Sequence, residues 1–329
     1  MNSPLRPPSD DPLYALPDAA RPHYATGMLL DAGDFADEQT YHRSRLARTL
    51  AFVSGAGARR LPEGLDADAA GAAGLFAGGT LAGLRVRQVP AAGEAVEEVR
   101  IAPGLAVDRL GRLVELPRSV CLRLTRWFDG ELAGDGGDGL RLAALDNPQR
   151  FASARLIADG PALPARAVIA DVFVRFVTCR QALTPAFASG PFDALDAVQT
   201  SRLRDAFEVH LVLRGDGLDD DFNGLPQPDR DLSALAPAAR RDALQDAVLN
   251  GWPDISGSAG SSDAAGELPA PPGHPPGLDP TAVFLARVFV PVAADDPPAR
   301  SGDAIVDNGG RRVLPHLGML AGALGLVGG

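Results

Sequence analysis

Asp219-Asp220-Asp221-Phe222-Asn223-Gly224 is the segment whose residue types and spacing come nearest to a metal site. Asp219, Asp221 and Asn223 occupy alternate positions before a glycine. That spacing lets a tight loop turn three oxygen ligands onto one Ca²⁺, with Gly224 supplying the sharp turn. The second half departs from the pattern. Arg230 stands at the twelfth position, where a bidentate carboxylate is wanted, and Pro226 and Pro228 interrupt the approach. An acidic, solvated turn accounts for the same residues without an ion. Asp219, Asp221 and Asn223 are therefore the calcium candidates, and no other cofactor is expected.

Nucleophilic chemistry finds less support. The five histidines are His23, His42, His210, His274 and His316. None lies in a short motif with Ser, Cys or Asp of the kind that activates a nucleophile. Neither C-x-x-C nor H-E-x-x-H occurs, so zinc is not indicated. Ser54-Gly55-Ala56-Gly57 and the stretch 74–83 lack the Lys-Ser/Thr of a phosphate loop and the strand–turn–helix order of a dinucleotide site. Glu97/Glu98 and Asp295/Asp296 are adjacent carboxylates, which a strand sends to opposite faces. An aromatic fraction of 5% is poor for a sugar-stacking groove, and Trp127 and Trp252 read as core or interface anchors. No catalytic residue is assigned, and a non-enzymatic role is expected.

The elements that would position any site follow from composition. The chain has 329 residues, enough for two or three domains. Hydrophobic residues make up 46% and charged residues 22%, a globular balance. Gly 37 and Pro 29 predict many turns and long irregular loops. All 31 basic residues are arginine, and the net charge is −11. A field of that sign argues against nucleic acid and against anionic membranes as partners. Cys121 and Cys179, set in apolar strand-like runs, are expected to be buried free thiols. Residues 1–22 are polar and proline-rich, with no apolar core of a signal peptide. The glycine-interrupted tail 314–329 is too short to span a bilayer. Synthesis in the cytoplasm without a signal peptide, and no membrane insertion, are the expectations.

Along the chain, 1–22 reads as an extended arm. The stretch 23–78 holds a helix over 34–53 and an Ala/Gly-rich insertion, with a second short helix over 66–77. Asp34 is the expected N-cap, with Asp37 and Glu38 in the first turn. Phe35, Gln39, His42 and Leu46, then Leu50 and Val53, form the helical stripe. Residues 79–128 carry short apolar runs separated by Gly and Pro, a small antiparallel β module whose last run is Val120, Leu122 and Leu124. The stretch 129–249 is a second β-rich domain with the acidic loop. Within it, 167–177 is a central strand apolar on both faces, 206–213 is an alternating strand, and 237–249 is helical. Residues 250–281 form a Pro/Gly/Ser linker. Residues 282–329 hold closing strands, with a strand pair about Asn308-Gly309, and an apolar C-terminal tail. The fold class is mainly β (α+β): antiparallel β modules, an N-terminal helix and long Pro/Gly-rich loops.

Certain blocks also resemble a known family. Tyr24-Ala-Thr-Gly27-Met28-Leu29-Leu30, Asp34-Phe35 and Glu38-Gln39-Thr40-Tyr41 look like the opening of a family encoded in phage-tail-like contractile injection clusters. Gly79-Thr80-Leu81-Ala82-Gly83-Leu84-Arg85-Val86 is similar to its "G-x-x-x-G-L-x-V" strand. Ile101-Ala102-Pro103-Gly104-Leu105-Ala106-Val107-Asp108-Arg109-Leu110-Gly111-Arg112 matches its "V-x-P-G-x-A-x-D-x-x-G-R" module. Ser201-Arg202 through Phe207-Glu208, Phe284–Val288, and Ile305–Asn308 with Arg311-Arg312 are similar to later strands. The insertion at 55–78 departs from relatives that run directly from helix to strand. The resemblance implies a structural part of a tail or baseplate, with sheath, tube or baseplate proteins as partners and homo-oligomeric packing in a symmetric particle. It carries no catalytic residues. In Pro103-Gly104 and Asp108–Gly111 the residues themselves read as turn chemistry, glycine giving positive φ and Asp108 capping through its side chain. The alternative function is an adhesin-like surface protein that recognises a glycan or receptor, stabilised by Ca²⁺. A hydrolase with a spatially assembled carboxylate pair ranks third, since no motif supports it.

Overall fold

Strand-forming residues apolar on both faces must lie inside a sheet, and the longest such run is the spine of the molecule. The computed structural model describes residues 11–15, 21–53, 78–134, 142–185, 198–214, 236–239 and 274–316, apart from single positions within them. The calcium candidates, the insertion up to residue 77, the expected helix over 66–77 and the tail beyond residue 316 lie outside the described residues; of the expected helix over 237–249 only 238 and 239 are described, and both are helical.

Strand β8 (Arg166–Pro185) is central. On one side it pairs β10 (Val283–Pro291). On the other it pairs β9 (Val198–Arg214) and the short β7 (Leu145–Asp146). The edge beyond β10 is β11 (Ile305–Asp307). Six shorter strands precede these: β1 (Gly79–Gly83), β2 (Val86–Val89), β3 (Glu98–Ile101), β4 (Gly104–Val107), β5 (Leu113–Leu116) and β6 (Val120–Arg123). They form two three-stranded sheets of order β1-β4-β5 and β2-β3-β6. Every pairing between these strands is antiparallel. The mainly β class is thus observed. One apolar core joins the small sheets to the large one, with Leu84, Ile101, Val114 and Leu116 packed with Val172, Val174, Leu285 and Val288.

The crossing between the small sheets depends on close backbone approach. Gly83 (φ +66°) and Leu84 (φ +54°) carry the chain from β1 to β2. A Cβ on Gly104 would stand 2.3 Å from the Ala82 carbonyl oxygen. Gly104 is therefore required by contact and not by a positive φ, which corrects the expectation for the Pro103-Gly104 turn.

Helix α1 (Ala32–Val53) forms where the spacing predicts it, but its start and its face differ. Asp31 is the cap. Its Oδ1 accepts from Gly33 N (2.7 Å) and Asp34 N (3.1 Å), while Asp34 Oδ2 accepts from Asp31 N (2.9 Å). That reciprocal pair is a capping box with Asp34 at its inner position. The buried face is Ser44, Ala47 and Ala51, whereas Phe35, Leu46 and Val53 are 51, 61 and 81% exposed. Small residues face inward because α1 lies directly on the Gly111 turn.

Three further expectations are corrected. The run ending at Leu124 is strand only to Arg123, and α2 (Leu124–Leu132) begins there, burying Leu124 and Phe128. Both cysteines are free, as expected, but exposed. Cys121 lies on β6 and Cys179 on the outer half of β8. Finally, Asn308-Gly309 does not fold the chain back on β11. The following segment instead runs to β1, where Thr80 N donates to Arg312 O (3.0 Å) and Leu314 N donates to Thr80 O (2.8 Å). Helix α3 (Ala154–Asp159) is capped by Ser153, whose Oγ accepts from Leu156 N. No described helix is long and apolar enough to cross a membrane.

Candidate functional site

Charged side chains gather at the Asp108–Arg112 turn between β4 and β5. Asp108 is fully buried. Its Oδ1 accepts from Leu110 N (2.9 Å) and Arg112 N (3.0 Å), and its Oδ2 accepts from Arg112 Nε (2.7 Å). Gly111 closes the turn at φ +85°. The capping role expected of Asp108 is therefore present, and the arginine that follows it is drawn inward. From there Arg112 Nη1 donates to Asp11 Oδ2 (2.8 Å) and Nη2 to Thr281 Oγ1 (2.9 Å). Its guanidinium carbon lies 4.8 Å from the centre of the Phe176 ring. Asp11 is also 3.5 Å from Arg43 of α1. One guanidinium thus ties three separate stretches of chain to a turn, and Asp11 extends the link to α1. Five donors in a fixed planar fork make arginine suited to this, and lysine would not replace it.

The loop that Arg112 reaches is held from its other side. Asp279 Oδ1 accepts from Thr281 N (2.9 Å) and Thr281 Oγ1 (2.7 Å). His274 Nε2 donates to Asp279 O (2.9 Å), and its ring meets Phe173 edge-on at 5.3 Å between centres. Burial pushes the His274 imidazole down to about 4, and the nearby Arg109 and Arg214 add to the effect. His274 is therefore neutral at pH 7. His210 follows on the same face of the sheet. Burial and then Arg175 lower it, against the opposing pull of Glu208. Arg175 Nε donates to Glu208 Oε2 at 2.8 Å. The Thr281 hydroxyl donates to Asp279 and accepts from Arg112, joining the loop to the turn. The arrangement clamps chain segments.

A second buried charge group crosses the large sheet. Arg287 of β10 is fully buried, donating through Nε (2.7 Å) and Nη2 (2.8 Å) to the two carboxylate oxygens of Asp171 and through Nη1 to Phe151 O (3.0 Å). Arg214 Nε stands 3.3 Å from Asp171 as well. Glu97 forms a third. It accepts from Ala304 N (2.8 Å), Gln88 Nε2 (3.1 Å) and Arg300. Its neighbour Glu98 turns the other way, to Arg100 at 3.3 Å. Glu97, just before β3, and Glu98, its first residue, thus send their carboxylates in different directions.

Of the residues singled out from sequence, Asp219, Asp221 and Asn223 lie outside the described residues. Among the described residues, no three His, Cys, Asp or Glu side chains converge closely enough to hold a metal ion. Trp127 is half-buried and donates its indole N–H to Leu211 O (3.0 Å), an anchor across to β9. Sequence reasoning missed Asp11, Asp171, Thr281 and Arg287. A signal existed for two of them. Asp171 and Arg287 each interrupt a run of apolar strand residues, and a charge there demands an opposite charge facing it. The register supplies that partner, Arg287 against Asp171. No protein-family model matches the chain, and no curated protein matches it.

Proposed function

We propose that this chain is a non-enzymatic assembly component of a contractile, phage-tail-like particle, seated at its baseplate or tail by packing against neighbouring particle proteins and further copies of itself. The observation that carries the reading is the outward stripe of α1. Phe35, Leu46 and Val53 share one face of that helix and point away from the core, with Leu29 just before it 94% exposed. Exposed apolar residues in a line mark contact surfaces. The ribbon formed by β8 and β9 supports the same reading. From Arg175 to Pro185 these strands pair beyond the end of β10, reaching roughly 35 Å. Two-stranded ribbons are marginal alone and gain from a neighbour. The resemblance of the Pro103–Arg112 block to the contractile-injection family names the kind of neighbour.

The test is incorporation. Particles sedimented from the native cells should contain this protein together with sheath and tube proteins. A chain carrying Leu46→Glu and Val53→Glu should keep its melting temperature and be lost from the particle fraction. Wild-type protein found only free of sedimenting particles would refute the reading.

A further inference from the structure

A cavity of about 570 Å³ lies between β2, α3 and the segment that follows β11. Three arginines line it, Arg85, Arg155 and Arg311. Arg311 is anchored from one side, with Nη1 donating to Leu84 O (2.8 Å) and Nη2 to Asn308 Oδ1. Its Nε is buried without a hydrogen-bond partner. Burial, and then the charge of Arg85, lower Arg311 to about 10. Arg85 and Arg155 are exposed and have no ion-pair partner among the described residues. Three guanidiniums gathered in one wall repel one another, and an anion bound among them relieves that repulsion.

The carboxylates of the wall limit which anion fits. Asp307 is already committed, accepting from Ser153 N (2.6 Å), Ser153 Oγ (2.7 Å) and Gly309 N (2.7 Å). Asp159 is the other acid in the lining. Three guanidiniums against two carboxylates leave a surplus of one positive charge, which suits a monoanion. A phosphate dianion would exceed that surplus and face both acids. Val306 and Val313 add apolar wall, with Val313 60% exposed.

We propose that this cavity binds a monocarboxylate carried on a short apolar stem, its oxygens received by the guanidiniums of Arg85, Arg155 and Arg311, its stem by Val306 and Val313. Arginine forks match a planar carboxylate. A free short-chain acid and a glutamate side chain of a protein segment share that chemistry.

The test follows the arginine Nε–H resonances of the full chain by NMR at pH 7, with Arg311 assigned by the signal missing from Arg311→Lys. Three probes are titrated: pentanoate, an acetyl-Ala-Ala-Glu-Ala-Ala-amide peptide, and inorganic phosphate. A saturable shift of the Arg311 signal with either carboxylate, weakened about tenfold in Arg85→Gln and in Arg155→Gln, is the expected result. Tighter binding of the peptide identifies a protein segment as the source, and tighter binding of pentanoate identifies a free acid. No saturable shift from either carboxylate overturns the proposal. So does phosphate binding more tightly than both, or a shift that both glutamine variants leave unchanged.

Discussion

A Cβ at Gly111 would stand 1.7 Å from the carbonyl oxygen of Ala47. Helix α1 and the β4–β5 turn are therefore in backbone contact, and the contact explains why the inward face of the helix is Ser44, Ala47 and Ala51. Gly111→Ala should cost roughly 3 kcal/mol, from strain at positive φ together with the clash. Urea unfolding would measure the loss, and a change below about 1 kcal/mol would contradict the docking of α1 on this turn.

Arg287 offers a test of the large sheet. Its guanidinium is buried with Asp171 and meets both carboxylate oxygens. Removing Arg287 leaves buried Asp171 with the more distant Arg214 alone and takes away its bidentate partner, and losing one partner of a buried pair costs about 3–5 kcal/mol. Arg287→Met should destabilise by that amount. Arg214→Met should cost less, because Arg287 would still hold Asp171. Equal losses for the two variants, read from chemical denaturation, would count against this ranking.

Much of the large sheet was legible in sequence because burial on both faces leaves a plain mark. The runs 167–177 and 282–292 are apolar without alternation, and they became β8 and β10. Helix α1 was legible as a helix but not by its orientation. Apolar spacing reports which residues are hydrophobic, whereas the buried side here was selected by how closely two backbones approach. The cysteines misled for a related reason. Cys179 lies on the part of β8 that outruns β10, and Cys121 points outward from an edge strand, so an apolar run alone did not predict burial. The polar cluster was hidden because its members are far apart in the chain: Asp11, Arg112 and Thr281 meet only through the tertiary fold.

Exposure of both thiols has a direct consequence. Native protein should react with a thiol-specific disulfide reagent at Cys121 and Cys179 without denaturant. Two equivalents should be released per chain, and Cys121→Ser or Cys179→Ser should each remove one. Thiols that react only in guanidinium would mean that the described orientation of β6 or of the β8–β9 ribbon is wrong.

Acid stability should carry the mark of His274. Its folded pKa is depressed to about 4, below the ordinary value near 6.5. Between those values the unfolded chain binds the proton and the folded chain does not, so stability rises with pH across the window. Lowering the pH from 7 toward 4 should therefore remove stability on the order of 3 kcal/mol from this group, with no further loss from it below pH 4. The neighbours that set its environment are Asp279, Arg109, Arg214 and the Phe173 ring. His210, also lowered, acts in the same direction. Carboxylates elsewhere titrate at the acid end of the range, so the informative quantity is wild type compared with His274→Gln at each pH. Glutamine retains an N–H able to reach Asp279 O but cannot take up a proton. Urea midpoints measured at pH 7, 6, 5 and 4.5 should fall more steeply for wild type than for the variant. Parallel curves would show that His274 titrates normally and that the loop it anchors to Asp279 is open to water.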